Sequence, residues 1–460
     1  MSGKSALASP PRALPLRSNL HPDQPTDRFP SFPLLLDWWQ NWRLPYYNMA
    51  AAGDTDMLAT MFQWFQSTLP LAKLRTKAYA ASANAAATGF NISTASGAAF
   101  WPEYTSMFGT THSQSYGCNR AADAKAASEP AWYSEDRWNH FNVQGALDAV
   151  MLMLDHHAHT QDDAAFVTHG GMAVASVEFF RQRWQTNGPD SSGHIIIYPT
   201  QAVETDQCPG WPVDKGDCCT NDMPTVAGLR AVLPRLLALP AALLAQLGTD
   251  GAMVAAWRTF AAQLPPLPTA ADGTLLSCAA APNHTANVEN PELYAVHPFR
   301  SLSRGNLPAS YLGPARLAFG DAKFPADTGW NQMAMDAALL GLAGKARDLV
   351  LARARTPPAA GYRFPAFMPH EQDYPPSSDH LAVFSNALTY MLMQSSTSPD
   401  DAEAGVVLLP AWPCAWDVAF KLHAPQQTVI TGELANGTLT FNVQPPARRA
   451  AVTVAACQPK

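Results

Sequence analysis

The chain has 460 residues, 47% of them apolar and 15% charged. That length suits two to three domains, or one large domain with a small one, and the apolar fraction excludes a disordered chain. A formal net charge of −7 speaks against a nucleic-acid binder, which needs a basic face to displace counterions.

Residues 1–30 read as a poorly ordered Pro/Ser/Ala-rich tail, and Met1 to Asn19 lacks the continuous apolar segment of a secretory signal. Over 31–399 helical periodicity dominates. Asp54 is placed to cap a helix carrying Met57, Met61, Phe62, Phe65 and Leu69. Val143, Leu147, Val150, Met151 and Leu154 form a second stripe. Asp162 and Asp163 open a third helix with Phe166, Ala173, Val177 and Phe180. Further helical patterns cover 224–238, 252–263, 308–319, 333–353 and 381–394. The most apolar stretch, Val226 to Trp257, is interrupted by Arg230, Pro234, Arg235, Pro240 and Asp250, so no membrane-spanning helix is expected.

After Pro399 the pattern shortens. Val406–Leu409, Gln427–Thr431, Thr438–Val443 and Ala451–Ala455 read as strands, with a hairpin signal at Asn436-Gly437. The expected organisation is therefore a helical domain over 31–399 and a β-rich appendage over 400–460.

Seven cysteines leave at least one without a partner inside the chain. Cys208, Cys218 and Cys219 share a Gly/Pro/Asp loop that suits a stapling disulfide better than zinc, because the spacing of zinc ligands is absent. In Asp155-His156-His157-Ala158-His159, His156 and His159 could share a helix face as metal ligands, but a run of His at a helix end also suits the helix dipole. No metal and no organic cofactor is expected, and no EF-hand loop is present. Asn91, Asn283 and Asn436 begin glycosylation-type triplets, a weak sign of an extracytoplasmic protein. Nothing in the residues fixes an oligomeric state.

Phosphate-cradling and serine-hydrolase motifs are missing. Instead, acidic residues stand beside aromatics in loops: Phe100-Trp101-Pro102-Glu103-Tyr104, Tyr198 to Thr205 with Glu204, Asp327-Thr328-Gly329-Trp330, and Tyr374 to His380 with Asp379. An apolar ring against a carboxyl disfavours the charged form and keeps the proton on, which is what a general acid needs. A second carboxylate in a more polar setting can then act as base. Each of these residues also has a plain structural reading as a cap or a hydrogen-bonded carboxylate.

Taken in order, these segments resemble the six-hairpin glycosidases. Those of glycoside hydrolase family 95, the α-L-fucosidases, are one likeness; bacterial proteins containing domain of unknown function 5703 are a closer one. Glu289 to Pro298, Leu408 to Pro413, Trp416-Asp417 and Phe420 to Pro425 look like the second group, and the resemblance spans about residues 35 to 450. It implies an (α/α)6 barrel with the small C-terminal β appendage, a carbohydrate substrate and inverting hydrolysis of a glycosidic bond. Pro199 to Glu204 matches the spacing of the family's acid segment and points to Glu204. Asp379, after Pro375-Pro376, is the nearest match to its base. Gln40 and Asn41 stand where family asparagines activate water, although here the two are adjacent. The resemblance further implies substrate contacts from Trp39, Arg43, Trp101, Glu103, Glu292, His297, Asp327, Trp330 and His380. Inversion implies carboxyl groups about 6.5–9.5 Å apart. The β-sandwich that precedes the barrel in that family is not expected in these residues. A carbohydrate lyase or epimerase on the same barrel, or a sugar-binding relative without turnover, are the alternative readings.

Overall fold

The structure is a computed structural model that describes residues 37–81, 92–94, 96–110, 141–208, 216–282, 287, 289–355, 378–401 and 403–455. All of them fall within one compact unit, Leu34–Lys460. Asn91, the Asn283 triplet and the Tyr374–Ser377 segment lie outside the described residues.

In chain order, β1 (Asp37–Trp38) leads into α1 (Trp39–Trp42), a 3-10 turn (Leu44–Asn48), α2 (Met49–Ala52) and α3 (Thr55–Ala80). Then come β2 (Tyr104–Thr105), α4 (Gly145–Thr160), α5 (Asp163–His169), α6 (Gly171–Arg183), β3 (Thr220–Asp222), α7 (Met223–Leu237), α8 (Ala241–Gln246) and α9 (Gly251–Ala262). They are followed by β4 (Cys278–Ala280), a 3-10 turn (Pro291–Leu293), α10 (Gly313–Gly320), α11 (Met333–Leu339), α12 (Ala343–Arg355) and α13 (Ser378–Leu392). The last part holds β5 (Met393–Ser395), β6 (Val406–Leu408), β7 (Val418–Ala424), β8 (Thr428–Ala435), β9 (Thr438–Gln444) and β10 (Val452–Val454). The described chain is thus rich in helix, with a few small sheets.

Two kinds of helix alternate. α4 is buried without a break from Ala146 to His156, α7 from Met223 to Leu229, and α11 throughout. A helix apolar on all sides belongs inside. By contrast α9 buries Trp257 and Phe260 alone, and α12 a single stripe of Ala343, Ala346, Val350 and Arg353. The inner elements touch one another in a closed circuit. It runs from the Leu44–Asn48 turn and α2 to α4, α7, the Pro291–Leu293 turn, α10, α11 and α13, and back to Leu44–Asn48. α3 and α6 pack behind α4, α9 behind α7, and α12 behind α11 and α13.

Small residues allow the closest approaches. A Cβ on Gly228 of α7 would lie 2.7 Å from Phe299 Cζ and 2.9 Å from Leu147 Cδ1 of α4. Gly228→Ala is therefore expected to destabilise the fold by about 1–3 kcal/mol through overpacking, read as a lowered thermal midpoint. A gain in stability, as for an ordinary helical Gly→Ala, would show that this approach is looser than described.

Several expectations need correction. The helix from Asp162 to Phe180 is two helices. They break at Gly170, where a Cβ would meet Leu247 Cδ2 at 2.4 Å. The 333–353 helix also divides, at Gly341 with φ +71°. The 308–319 pattern is a 3-10 turn followed by the short α10. Asp54 occupies the cap position of α3 but makes no side-chain cap bond, whereas Asp162 Oδ1 accepts from Ala165 N at 2.9 Å. The His run ends α4. There His157 meets Asp163 at 2.7 Å, His159 Nδ1 meets the Asp155 carbonyl at 2.7 Å, and the Asp155 carboxylate takes Arg235 and Arg300.

At the C-terminal end β5 pairs antiparallel with β6, and β6 parallel with β10. β7, β8 and β9 form an antiparallel sheet whose β8–β9 turn is Asn436-Gly437, both at positive φ. This sheet lies against α2, and Gln426 N and Gln427 N bond to the Ala158 and His159 carbonyls at the end of α4. No helix among the described residues is long and apolar enough to cross a membrane.

Candidate active site

β1 pairs with β2, so the start of α1 lies beside Glu103. Trp39 N donates to the Glu103 carbonyl at 2.8 Å and Gln40 N to its carboxylate at 2.6 Å. One residue further on, Asn41 Nδ2 donates to Asp379 Oδ2 at 2.8 Å, across 338 positions of sequence. Asp379 stands in the first turn of α13, so that bond joins α1 to α13.

Glu204 sits in a loop whose preceding residue, Val203, has φ +46°. Its carboxylate accepts from Asn287 Nδ2, and its carbonyl accepts from Gln207 Nε2 at 2.7 Å and Asn287 N at 3.2 Å. Disulfides Cys208–Cys218 and Cys219–Cys278 then fasten this loop to β3 and β4. Asp206, Cys219 and Cys278 form the one described group with metal-ligand proximity, and the bridge occupies both its thiols. Cys414 takes part in neither bridge.

Glu204 and Glu289 act on Glu103 as like charges. Burial first, and then Glu204 and Glu289, hold the Glu103 carboxyl well above the usual range against the pull of Arg43. Glu289 accepts from Tyr294 Oη at 3.0 Å, and burial raises its pKa to about 7. Glu292 is likewise raised to about 7, by burial and by Asp206 against Lys323. Asp336 on α11 is pushed up by burial and by Glu292, and its Oδ1 is buried with no hydrogen bond. Two crevices meet here, each with room for about one water molecule. Gln40, Glu103, Asp148 and Glu289 line the first; Glu289, His297, Trp330 and Asp336 line the second.

Gln40 is thus bonded to Glu103 and Asn41 to Asp379, while Glu204 acts on Glu103 through space. Asp327 and Trp330 are half-buried, Asp327 acting with Asp379 on Arg353 and Trp330 lining the second crevice, and Glu292 acts on Asp336 as a like charge. The other expected substrate contacts point inward. Trp101 is 3% exposed, with its ring against Phe65 and its Nε1 on Thr68 Oγ1 at 3.0 Å, so no face is open to a sugar. Trp39 Nε1 donates to Asp148 at 3.1 Å. Arg43 is 2% exposed and directs its donors to Asp148, Tyr294 and the Gln40 carbonyl. His380 accepts from Gly329 N at Nδ1 (3.2 Å) and donates from Nε2 to the Arg353 carbonyl (3.2 Å), which ties α13 to the Thr328-Gly329-Trp330 loop. His297 is buried against Tyr47. Burial, then Arg43 and Arg300, push its pKa well down and keep it neutral.

Glu289, Asn287, Tyr294 and Asp148 are the residues missed. Glu289 and Glu292 are three apart in one segment, and Tyr294 following them was the available signal.

These acids fix a pH dependence. A carboxyl whose pKa is higher folded than unfolded stabilises fully below its unfolded value, and that contribution is lost as pH rises through the folded value. Glu289 and Glu292 move from 4.5 to about 7, and Asp222 from 3.8 to about 6. The thermal midpoint should therefore fall between about pH 5 and pH 8, less steeply in Glu289→Gln. An unchanged slope in that variant would contradict the burial of this charge.

No family model matches the chain, and no curated protein matches it. Among solved structures it is similar to a protein assigned as a kojibiose phosphorylase from the human microbiome, with a TM-score of 0.49 and 10% identity. The match covers 89% of this chain and 56% of that one, so this chain spans little more than half its length.

Proposed function

We propose that the chain is a carbohydrate-active enzyme that hydrolyses a glycosidic bond with inversion. The closed circuit of buried helices, together with the ordered sequence resemblance, supports an (α/α)6 barrel over 31–399 with 400–460 as its β appendage. Glu204 protonates the leaving oxygen. Asp379 deprotonates a water held by Asn41, with Gln40 beside it. Glu292, Asp327 and Trp330 contact the sugar, while the buried Glu103 holds Gln40 in place. The observation that carries this reading is the 2.8 Å bond from Asn41 to Asp379, next to the Gln40–Glu103 contact that couples to Glu204. It unites an amide able to orient water with a carboxylate able to accept its proton, and Gln40, the neighbour of Asn41, holds the Glu103 carboxyl on which Glu204 acts.

Charge favours water as the attacking group. Inorganic phosphate needs a cationic cradle, and elimination from a uronic acid needs a group that neutralises the substrate carboxylate. Among the described residues, Arg43 is already engaged by Asp148 and Tyr294, and Arg353, which acts on Asp327 and Asp379, by the Gly329, Asn331 and His380 carbonyls; the cation beside Glu292 is the single ammonium of Lys323. The two disulfides fit an oxidising compartment.

A panel of neutral glycosides, with α-L-fucosides first, tests the reading in phosphate-free buffer. The expected result is a released reducing sugar. Release only with added phosphate, as a sugar 1-phosphate, would favour phosphorolysis; an unsaturated uronate product would favour a lyase; sugar binding without turnover would favour a binding protein.

A further inference from the structure

Arg43 reaches toward both halves of the site from behind. Its Nη1 donates to Asp148 Oδ2 at 3.0 Å and its Nη2 to Tyr294 Oη at 3.0 Å. The same Asp148 oxygen also accepts from Trp39 Nε1 and Tyr47 Oη. Residues 39, 43 and 47 recur every fourth position, so one carboxylate on α4 grips one face of the α1 and Leu44–Asn48 segment. Gln40 and Asn41 are carried between those anchors and meet Glu103 and Asp379 instead. On the other side Tyr294 Oη passes a hydrogen bond to Glu289 Oε2 at 3.0 Å. Glu289 N donates to Thr205 Oγ1 at 3.3 Å, next in sequence to Glu204, and Asn287 holds the Glu204 carboxylate.

We propose that Arg43 is a positioning residue, a strut that joins the segment bearing Gln40 and Asn41 to the loop bearing Glu204 through Asp148 on one arm and Tyr294–Glu289 on the other. The inference rests on the acid and base roles given above to Glu204 and Asp379. A planar guanidinium supplies two divergent donors at fixed geometry, whereas a lysine ammonium is a single point on a flexible stem. Arg43→Lys keeps the buried positive charge that the surrounding carboxyls require, but it cannot span Asp148 and Tyr294 together. Tyr294→Phe keeps the ring and cuts the acid-side arm alone.

The test is a double-mutant cycle with kcat and KM measured separately. Each single variant should lower kcat about 10- to 100-fold with KM within about threefold, and the double variant should be no slower than Arg43→Lys alone. Fully multiplicative losses, or losses confined to KM, would overturn the strut. A second measurement separates failure of the strut from failure of the hydrolase reading and needs no turnover. In protein labelled with ¹³C at glutamate carboxyls, the Glu204 signal is assigned by its disappearance in Glu204→Gln and titrated in wild type and in Tyr294→Phe. The strut predicts a moved titration midpoint for Glu204; an unmoved one would overturn it, even if Arg43→Lys failed to fold.

Discussion

Replacing Glu204 by glutamine should lower turnover by about 10²- to 10⁴-fold, the range that a positioned general acid contributes. The substitution is nearly isosteric. The carbonyl oxygen of the introduced amide could still accept from Asn287 Nδ2, and the backbone bonds to Gln207 and Asn287 N would be untouched. The loop should therefore keep its shape, and sugar affinity should survive. The loss should also depend on the leaving group. An alkyl or sugar leaving oxygen needs the proton, whereas a good aryl leaving group departs with little help. Kinetics on a matched pair of natural and aryl glycosides check both points. Retained turnover on the natural glycoside, or an equal loss on both substrates, would remove Glu204 from the acid role.

Asp379→Asn should be as damaging, about 10²- to 10⁴-fold, for the opposite reason. The asparagine could still pair with Asn41 but could not accept a proton from water. Asn41→Ala should cost less, about 10- to 100-fold, because it loosens the water and leaves the base in place. The two residues share one hydrogen bond, so their losses should not multiply in the double variant. A small nucleophilic anion, azide for example, should partly restore Asp379→Asn by attacking without a base. Independent, multiplicative losses would place Asn41 and Asp379 in separate tasks.

Much of the fold was legible because burial leaves a periodic trace. The stripe from Met57 to Leu69 announced α3, and Val143 to Leu154 announced α4. Both helices run further than their stripes, α3 through Pro70, because packed residues such as Ala72, Thr76 and Tyr79 continue the buried face. The breaks at Gly170 and Gly341 were hidden. Only the three-dimensional approach of Leu247, or the positive φ, reveals why the helix stops there. In the site, residue type was easier to read than direction. Arg43, Trp101 and His380 stand in the right neighbourhood, but local sequence does not say that their polar atoms turn to Asp148, Thr68 and Gly329. Glu289 is harder to read than Glu292 because the contact that fastens it to the Glu204 loop, Glu289 N to Thr205 Oγ1, spans 84 positions.

The most direct measurement follows a neutral glycoside in H₂¹⁸O without phosphate, with the configuration of the first sugar released read by proton NMR before it mutarotates. The account predicts one ¹⁸O at the anomeric carbon and a configuration opposite to that of the substrate. A retained configuration, an unlabelled unsaturated product, or no cleavage until phosphate is added would contradict it.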